Sequence, residues 1–241
     1  MRSTKIFKVL NLTLIFIFNA FISFGQSEIF KNNESKKYNI LFISIDDLRT
    51  ELNCYGASHI KSPNIDRLAA QGVIFENAHV QQAICMASRA SIMTGIRPEK
   101  HGIYTGVSVN DVLPNALTLN KFFEKNGYNI ASCGKIYHHK IDTKTQFGKN
   151  EMKPKGTWTG RGYVTKEAIK KIALNIKFNR GPAYEFAPVN DTIYKDGLNT
   201  QNALKKMEEL SKENVPFFLS VGLSKPHLPF VAPKKYWDMY P

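Results

Sequence analysis

The chain has 241 residues, 43% hydrophobic and 12% aromatic, which is enough for one sizeable core and excludes a low-complexity or compositionally disordered protein. Its 33 Lys and Arg stand against 20 Asp and Glu, a formal charge of +13. That balance disfavours cationic partners and suits sulfated glycans, nucleic acid or acidic membrane, although a solvated lysine-rich surface explains it equally.

Met1 to Lys8 is short and positive, Val9 to Phe24 is apolar apart from Asn11 and Asn19, and the small residues Ser23 and Gly25 precede Gln26. This is the layout of a secretory signal peptide over residues 1–26, and it predicts a periplasmic or secreted product. The apolar run, about 16 residues, is short for a bilayer span, and no cysteine near its end offers a lipid anchor, so no stable membrane anchor is expected. Residues 27–38 read as a polar linker. In an oxidising compartment Cys54, Cys85 and Cys133 allow one disulfide and leave an odd thiol.

Asn39 to Ile45 is a continuous apolar, β-branched run, as expected of a buried parallel strand, and it stops at Asp46 and Asp47. Ser62, Pro63 and Asn64 open a helix through Ile65, Leu68 and Ala69 that Gly72 closes. Val73 to Phe75 reads as a short strand. A helix-like run starts at Cys85 and continues to Gly95. Leu117 to Asn126 is a predicted helix with Leu119, Phe122 and Phe123 on one face. Tyr128 to Ser132 is a strand followed by Gly134, Lys135 and His138. Residues 140–165, rich in Lys, Gly and Thr, read as a long surface excursion. Gly197 to Lys212 is a helix built on Leu204, Met207 and Leu210. Pro216 to Val221 is the last strand, followed by Ser224, Lys225, Pro226 and His227. Strands alternating with helices imply an α/β fold with a mostly parallel central sheet flanked by helices. Ligands of such sheets bind beyond the carboxyl ends of the strands. Three predicted strands end in polar clusters, and together these suggest one site.

Two adjacent carboxylates after a buried strand suit a hard dication such as calcium, or else one of them caps a turn. His138 and His227 each follow a lysine by two or three residues; they suit acid–base work beside an anion-binding lysine, or are ordinary surface or core histidines. Cys85 is the sharpest feature. A cysteine that opens a helix lies in a positive field, so a thiol nucleophile and a plain core cysteine are both open readings.

Cys85-x-Ala87-Ser88-Arg89 followed by Thr94 and Gly95 resembles the signature of the formylglycine-dependent (type I) sulfatases. Asn39 to Asp47 looks like that family's first strand and metal pair. Ser62 to Ala69 looks like its next helix. Gly134, Lys135 and His138, and Lys225 to His227, fall where sulfatases carry active-site lysine and histidines. The stretch from Lys225 to Phe230 and on to Pro241, with Gly181 to Tyr184 and Asp196-Gly197, resembles the iduronate-2-sulfatase-like group in particular. The resemblance spans nearly everything from Asn39 onward and implies an alkaline-phosphatase/sulfatase-like fold. Family members are longer and supply a second acidic metal pair and a further sulfate-binding lysine beyond this point. Residues 39–241 therefore read as the N-terminal part of a sulfatase catalytic domain, a fragment or truncated product with part of the calcium shell.

The resemblance implies removal of sulfate from a sulfated sugar. A maturation enzyme, either formylglycine-generating or anaerobic sulfatase-maturing, would convert Cys85 to Cα-formylglycine. One hydroxyl of the hydrated aldehyde attacks sulfur and the other later expels sulfate. Asp46, Asp47 and residue 85 would hold Ca2+, Arg89 the diol, and Lys135 the sulfate charge. His138 would be the base for elimination, and His227 would bind sulfate and protonate the leaving alcohol. Lys225 would contact substrate or only shape its loop. A phosphate or phosphonate ester hydrolase of the same superfamily, or an inactive anion-binding remnant, are the alternatives. Nucleic acid is not an expected partner.

Overall fold

Six strands form in chain order: β1 (Ile40–Ile45), β2 (Asn129–Gly134), β3 (Glu151–Met152), β4 (Tyr184–Ala187), β5 (Phe217–Leu223) and β6 (Phe230–Pro233). The structure, a computed structural model, describes residues 36–174 and 180–240, so the signal-peptide reading lies outside the described residues. Residues from Asn39 onward make one compact unit. Its main sheet has the order β1-β5-β2-β3 with every pairing parallel, and β4 and β6 form a separate parallel pair. The expected α/β fold with a parallel sheet is therefore what forms.

The main helices are α1 (Pro63–Gln71), α2 (Cys85–Thr94), α3 (Leu119–Lys125), α4 (Lys140–Phe147), α5 (Lys166–Leu174) and α6 (Lys195–Ser211). β5 is central and apolar on both faces. Phe218 meets Ala90 and Met93 of α2 on one face, together with Ile130. Leu219 and Val221 meet Ala203 and Leu210 of α6 on the other, with Ala131 and Cys133. Successive strand side chains point to opposite faces, so a strand sandwiched between helices is apolar on both; Ser220 is the buried polar exception.

β1 carries the same kind of apolar run, yet Leu41 and Ile43 are 46% and 50% exposed. β1 is the sheet's edge, and α6 packs over β2 and β5. Its composition therefore reads as more buried than it is among the described residues. For the same kind of reason Val73 to Phe75 is not a strand: these residues are exposed and no neighbour pairs with them among the described residues. Leu204 is exposed as well. The buried face of α6 runs through Asn199, Ala203 and Leu210 instead.

Residues 140–165 are more ordered than their composition predicts. They form α4, a 3-10 turn and β3, which extends the sheet beside β2. Asp142 anchors them. Its buried carboxylate accepts from Ser108 Oγ at 2.6 Å and from the backbone N–H groups of Val109 and Asn110 at 3.1 and 3.0 Å. A buried, fully bonded carboxylate carries no apolar signal in the sequence. All three cysteines are free thiols, and the allowed disulfide is not formed.

Candidate active site

The parallel register sets Ile45 beside Leu223 and Gly134 beside Gly222, so β1, β5 and β2 end together. Two glycines make the end of the sheet tight. A Cβ on Gly222 would lie 2.0 Å from the Lys135 carbonyl oxygen, and one on Gly134 would lie 2.1 Å from the Gly222 oxygen. Lys135 N–H donates to Gly222 O at 2.9 Å and Asp46 N–H to Leu223 O at 3.0 Å, so both site residues are pinned to β5 through the backbone.

The Asp46 side chain is 2% exposed and sits between two cations. Arg89 Nη2 donates to Oδ1 at 2.8 Å, and the Lys135 ammonium donates to Oδ2. Burial alone would raise the Asp46 carboxyl, but the bonds from Lys135 and Arg89 outweigh it and hold it below the usual carboxylate range. Arg89, itself buried, spends its other nitrogen on the carbonyls of Lys135 and Ile136 at 2.6 and 2.8 Å and on Ser44 Oγ at 3.2 Å. One guanidinium from α2 thus ties together the ends of β1 and β2. The fork geometry of arginine makes this possible; a lysine has one nitrogen to offer.

Asp47 follows at φ +57°, a left-handed conformation that turns the chain away from the strand direction. Its Oδ2 lies 3.9 Å from His227 Nε2. Oxygens of Asp46 and Asp47 and a nitrogen of His227 come within 4.8 Å of one another. This donor set fits a divalent cation in part. The two carboxylates suit calcium, which takes roughly six to eight oxygens, so they cover only a portion of such a shell. A cation here would also compete with Lys135 for Asp46 Oδ2.

Cys85 is the first residue of α2, and its Sγ lies 3.2 Å from His138 Nδ1. His138 keeps one side open to solvent. Partial burial lowers its pKa, the Lys135 ammonium lowers it further, and Asp46 opposes them. The lowered pKa favours the neutral ring, which can accept a proton. A cavity of about 320 Å3 opens beside this pair, lined by Asp46, Asp47, Cys85, Ser88 and Arg89 among others. Lys135 and His138 also face a second cavity, of about 580 Å3.

Lys225 lines neither of these two cavities. Its ammonium donates to the carbonyls of His227 at 2.9 Å and Pro229 at 2.6 Å, bracing the loop that carries His227. Burial pushes this ammonium down to about 8, with Asp196 opposing. Of the two roles the sequence left open, shaping the loop is the one its contacts serve. Sequence reasoning assigned no role to Asp196, whose Oδ2 accepts from Ser224 N–H at 2.8 Å and Lys225 N–H at 2.7 Å. It also missed Ser44, which supports Arg89. Only the strand-end position of Ser44 and the helix-opening position of Asp196 could have flagged them.

The sulfatase family model matches residues 38–241. The chain belongs to the sulfatase family. Among its relatives, iduronate 2-sulfatase of Homo sapiens is 35% identical over 226 residues, covering 89% of this chain and 40% of its own length. The chain thus spans about two-fifths of the length of that curated relative. Among solved structures, Ps i-CgsB in complex with k-i-k-neocarrahexaose superposes with a TM-score of 0.62 at 22% identity, covering 86% of this chain and 49% of that one. The phosphonate monoester hydrolase SpPMH of Silicibacter pomeroyi superposes with a TM-score of 0.60 at 22% identity, covering 85% and 44%. At such identities these structures show a shared fold. The sulfatase signature of this chain coincides with the start of α2, and Asp46, Asp47, Lys135 and the Lys225–His227 stretch follow the ends of β1, β2 and β5.

Proposed function

We propose that this sulfatase chain contributes the nucleophile, the base and the first metal ligands of an exported enzyme that hydrolyses sulfate esters of a sulfated sugar, as the iduronate-2-sulfatase-like group does. The observation that carries the reading is the Cys85 side chain at the head of α2, 3.2 Å from His138 Nδ1 and beside the Asp46–Arg89–Lys135 cluster. Cα-formylglycine at position 85 would supply a hydroxyl nucleophile that escapes trapping as a stable adduct, and Ca2+ on Asp46, Asp47 and residue 85 would polarise the sulfate.

The chain's own side chains do the rest. His138, kept neutral by its surroundings, accepts a proton from the group at residue 85. The Lys135 ammonium balances sulfate charge. His227, on a loop braced by Lys225, binds sulfate and gives a proton to the leaving alcohol. Arg89 holds Asp46 and the ends of β1 and β2 in place for residue 85, which lies one helical turn away. Export through the segment 1–26 would give the protein access to polysaccharide substrate.

The decisive measurement is mass spectrometry of the peptide containing residue 85, from protein made with a sulfatase-maturing enzyme. Conversion of thiol to aldehyde lowers the mass by about 18 Da. An unmodified thiol under those conditions would overturn the reading. Phosphonate ester hydrolysis is the second reading, supported by the fold shared with SpPMH. Side-by-side rates on matched sulfate and phosphonate esters separate the two.

A further inference from the structure

The cavity of about 580 Å3 beside His138 is lined by Lys135, Lys140, Lys153, Trp158 and Lys195, among others. A smaller one of about 190 Å3 shares Lys140, Trp158 and Lys195 with it, so these three side chains form the wall between the two. Two of the lysines have carboxylate partners. Lys135 pairs with Asp46, and Lys153 Nζ lies 3.3 Å from Glu151 Oε2. Neither Lys140 nor Lys195 makes an ion pair among the described residues. Lys195 is half-buried and lies in the fields of Lys140 and Lys135. The opposing carboxylate is Asp196, which lines the smaller cavity and whose Oδ2 accepts from the Ser224 and Lys225 N–H groups. Lys195 also opens the 17-residue helix α6, whose N-terminal end adds positive potential. Convergent like charges cost free energy unless an anion joins them.

Trp158 supplies a second kind of contact. A Cβ on Gly156 would lie 1.7 Å from its ring, so the indole rests directly against the backbone there. A half-buried aromatic ring held in this way presents an apolar wall on which the C–H face of a sugar packs.

We propose that Lys140 and Lys195, with Trp158 as the wall, form a second anion subsite that takes a sulfate or carboxylate group on the sugar next to the one being desulfated. This inference rests on the sulfatase reading for its substrate class. It makes the chain selective for multiply charged oligosaccharides over simple sulfate esters.

The test uses the whole chain with Cys85→Ala, so that substrate stays intact, and measures binding of a multiply sulfated, uronate-containing oligosaccharide by calorimetry. Lys140→Gln, Lys195→Gln and Trp158→Ala should each weaken binding about tenfold. Lys205→Gln, an exposed lysine elsewhere on α6 with the same charge change, should leave it within about twofold. In matured protein without the Cys85→Ala change, the same Lys140 and Lys195 variants should lower kcat/KM on the oligosaccharide while an aryl monosulfate is turned over at the parental rate. Undiminished oligosaccharide binding in both lysine variants, or an equal loss in Lys205→Gln, would overturn the subsite. Absence of any sulfate ester turnover in the parent would instead sink the functional reading, while the calorimetry still decides the subsite. Thermal unfolding of each variant at the parental temperature separates lost contacts from lost structure.

Discussion

Arg89→Met is the most informative single change to the site. The side chain is similar in length and apolar, so packing of α2 is kept while four polar relationships change at once. Asp46 loses one of its two cations, and the carbonyls of Lys135 and Ile136 and Ser44 Oγ lose a donor. Removing one partner of a buried ion pair costs about 3–5 kcal/mol, and a buried carbonyl left without a donor about 1–3 kcal/mol. These overlap, because the groups relax together, so a loss of about 4 kcal/mol is expected. That is a large part of the roughly 5–15 kcal/mol that holds a domain folded. Denaturant titration of metal-free protein reads it. The partner variant Asp46→Asn closes a double-mutant cycle, and the coupling between the two should exceed about 1 kcal/mol. The sign of the pH effect follows from Asp46. Its folded pKa lies below the unfolded value of ~3.9, so its contribution is present above that value and is lost as pH falls through the folded pKa. Without Arg89, burial weighs more, the folded pKa rises, and acid unfolding should begin at higher pH. A loss under about 1 kcal/mol with additive effects would refute the idea that this guanidinium joins the strand ends.

Gly222→Ala should destabilise the fold by about 3 kcal/mol or prevent soluble expression, because the new methyl meets the Lys135 backbone at 2.0 Å; thermal unfolding reads this, and a parental melting temperature would show that the strand ends can part. The acid limb of sulfate ester turnover should lie below the ~6.5 of an ordinary imidazole, because His138 must be neutral to accept a proton and its surroundings lower its pKa. Lys135→Met removes one of the lowering charges, so the limb should move to higher pH whatever happens to the maximal rate. A limb that stays in place would take His138, or Lys135's field, out of the proton transfer.

Much of this molecule is legible residue by residue. The apolar runs at 40–45 and 217–223 are bounded by polar residues, which leaves a parallel strand as the natural reading, although only the second is buried. The helix from Cys85 closes at Gly95, whose φ of +69° suits glycine. Readings failed where burial depends on a distant partner. Leu41 and Ile43 look like core but flank an edge, and Leu204 looks like the inner face of α6 but lies outside it. Asp142 reads as a surface loop residue and Asp196 as the residue before a helix, yet each holds a segment in place by accepting backbone N–H groups. Such anchoring leaves no periodic trace, because one carboxylate serves donors tens of positions away.

By itself the sequence determined the α/β class, the strand ends as the place for chemistry, and the sulfatase signature around Cys85. Those follow from local composition and fixed spacing along one segment. Only the tertiary structure decided that Asp46 is gripped by Arg89 and Lys135, that Cys85 faces His138, that Lys225 braces its own loop, and that Lys140 and Lys195 line the same two cavities. The physical reason is the parallel register, which brings residues 46, 134 and 223 side by side although nearly ninety positions separate each from the next. Electrostatic environment depends on those distances through space, and they are set only when β5 packs between β1 and β2.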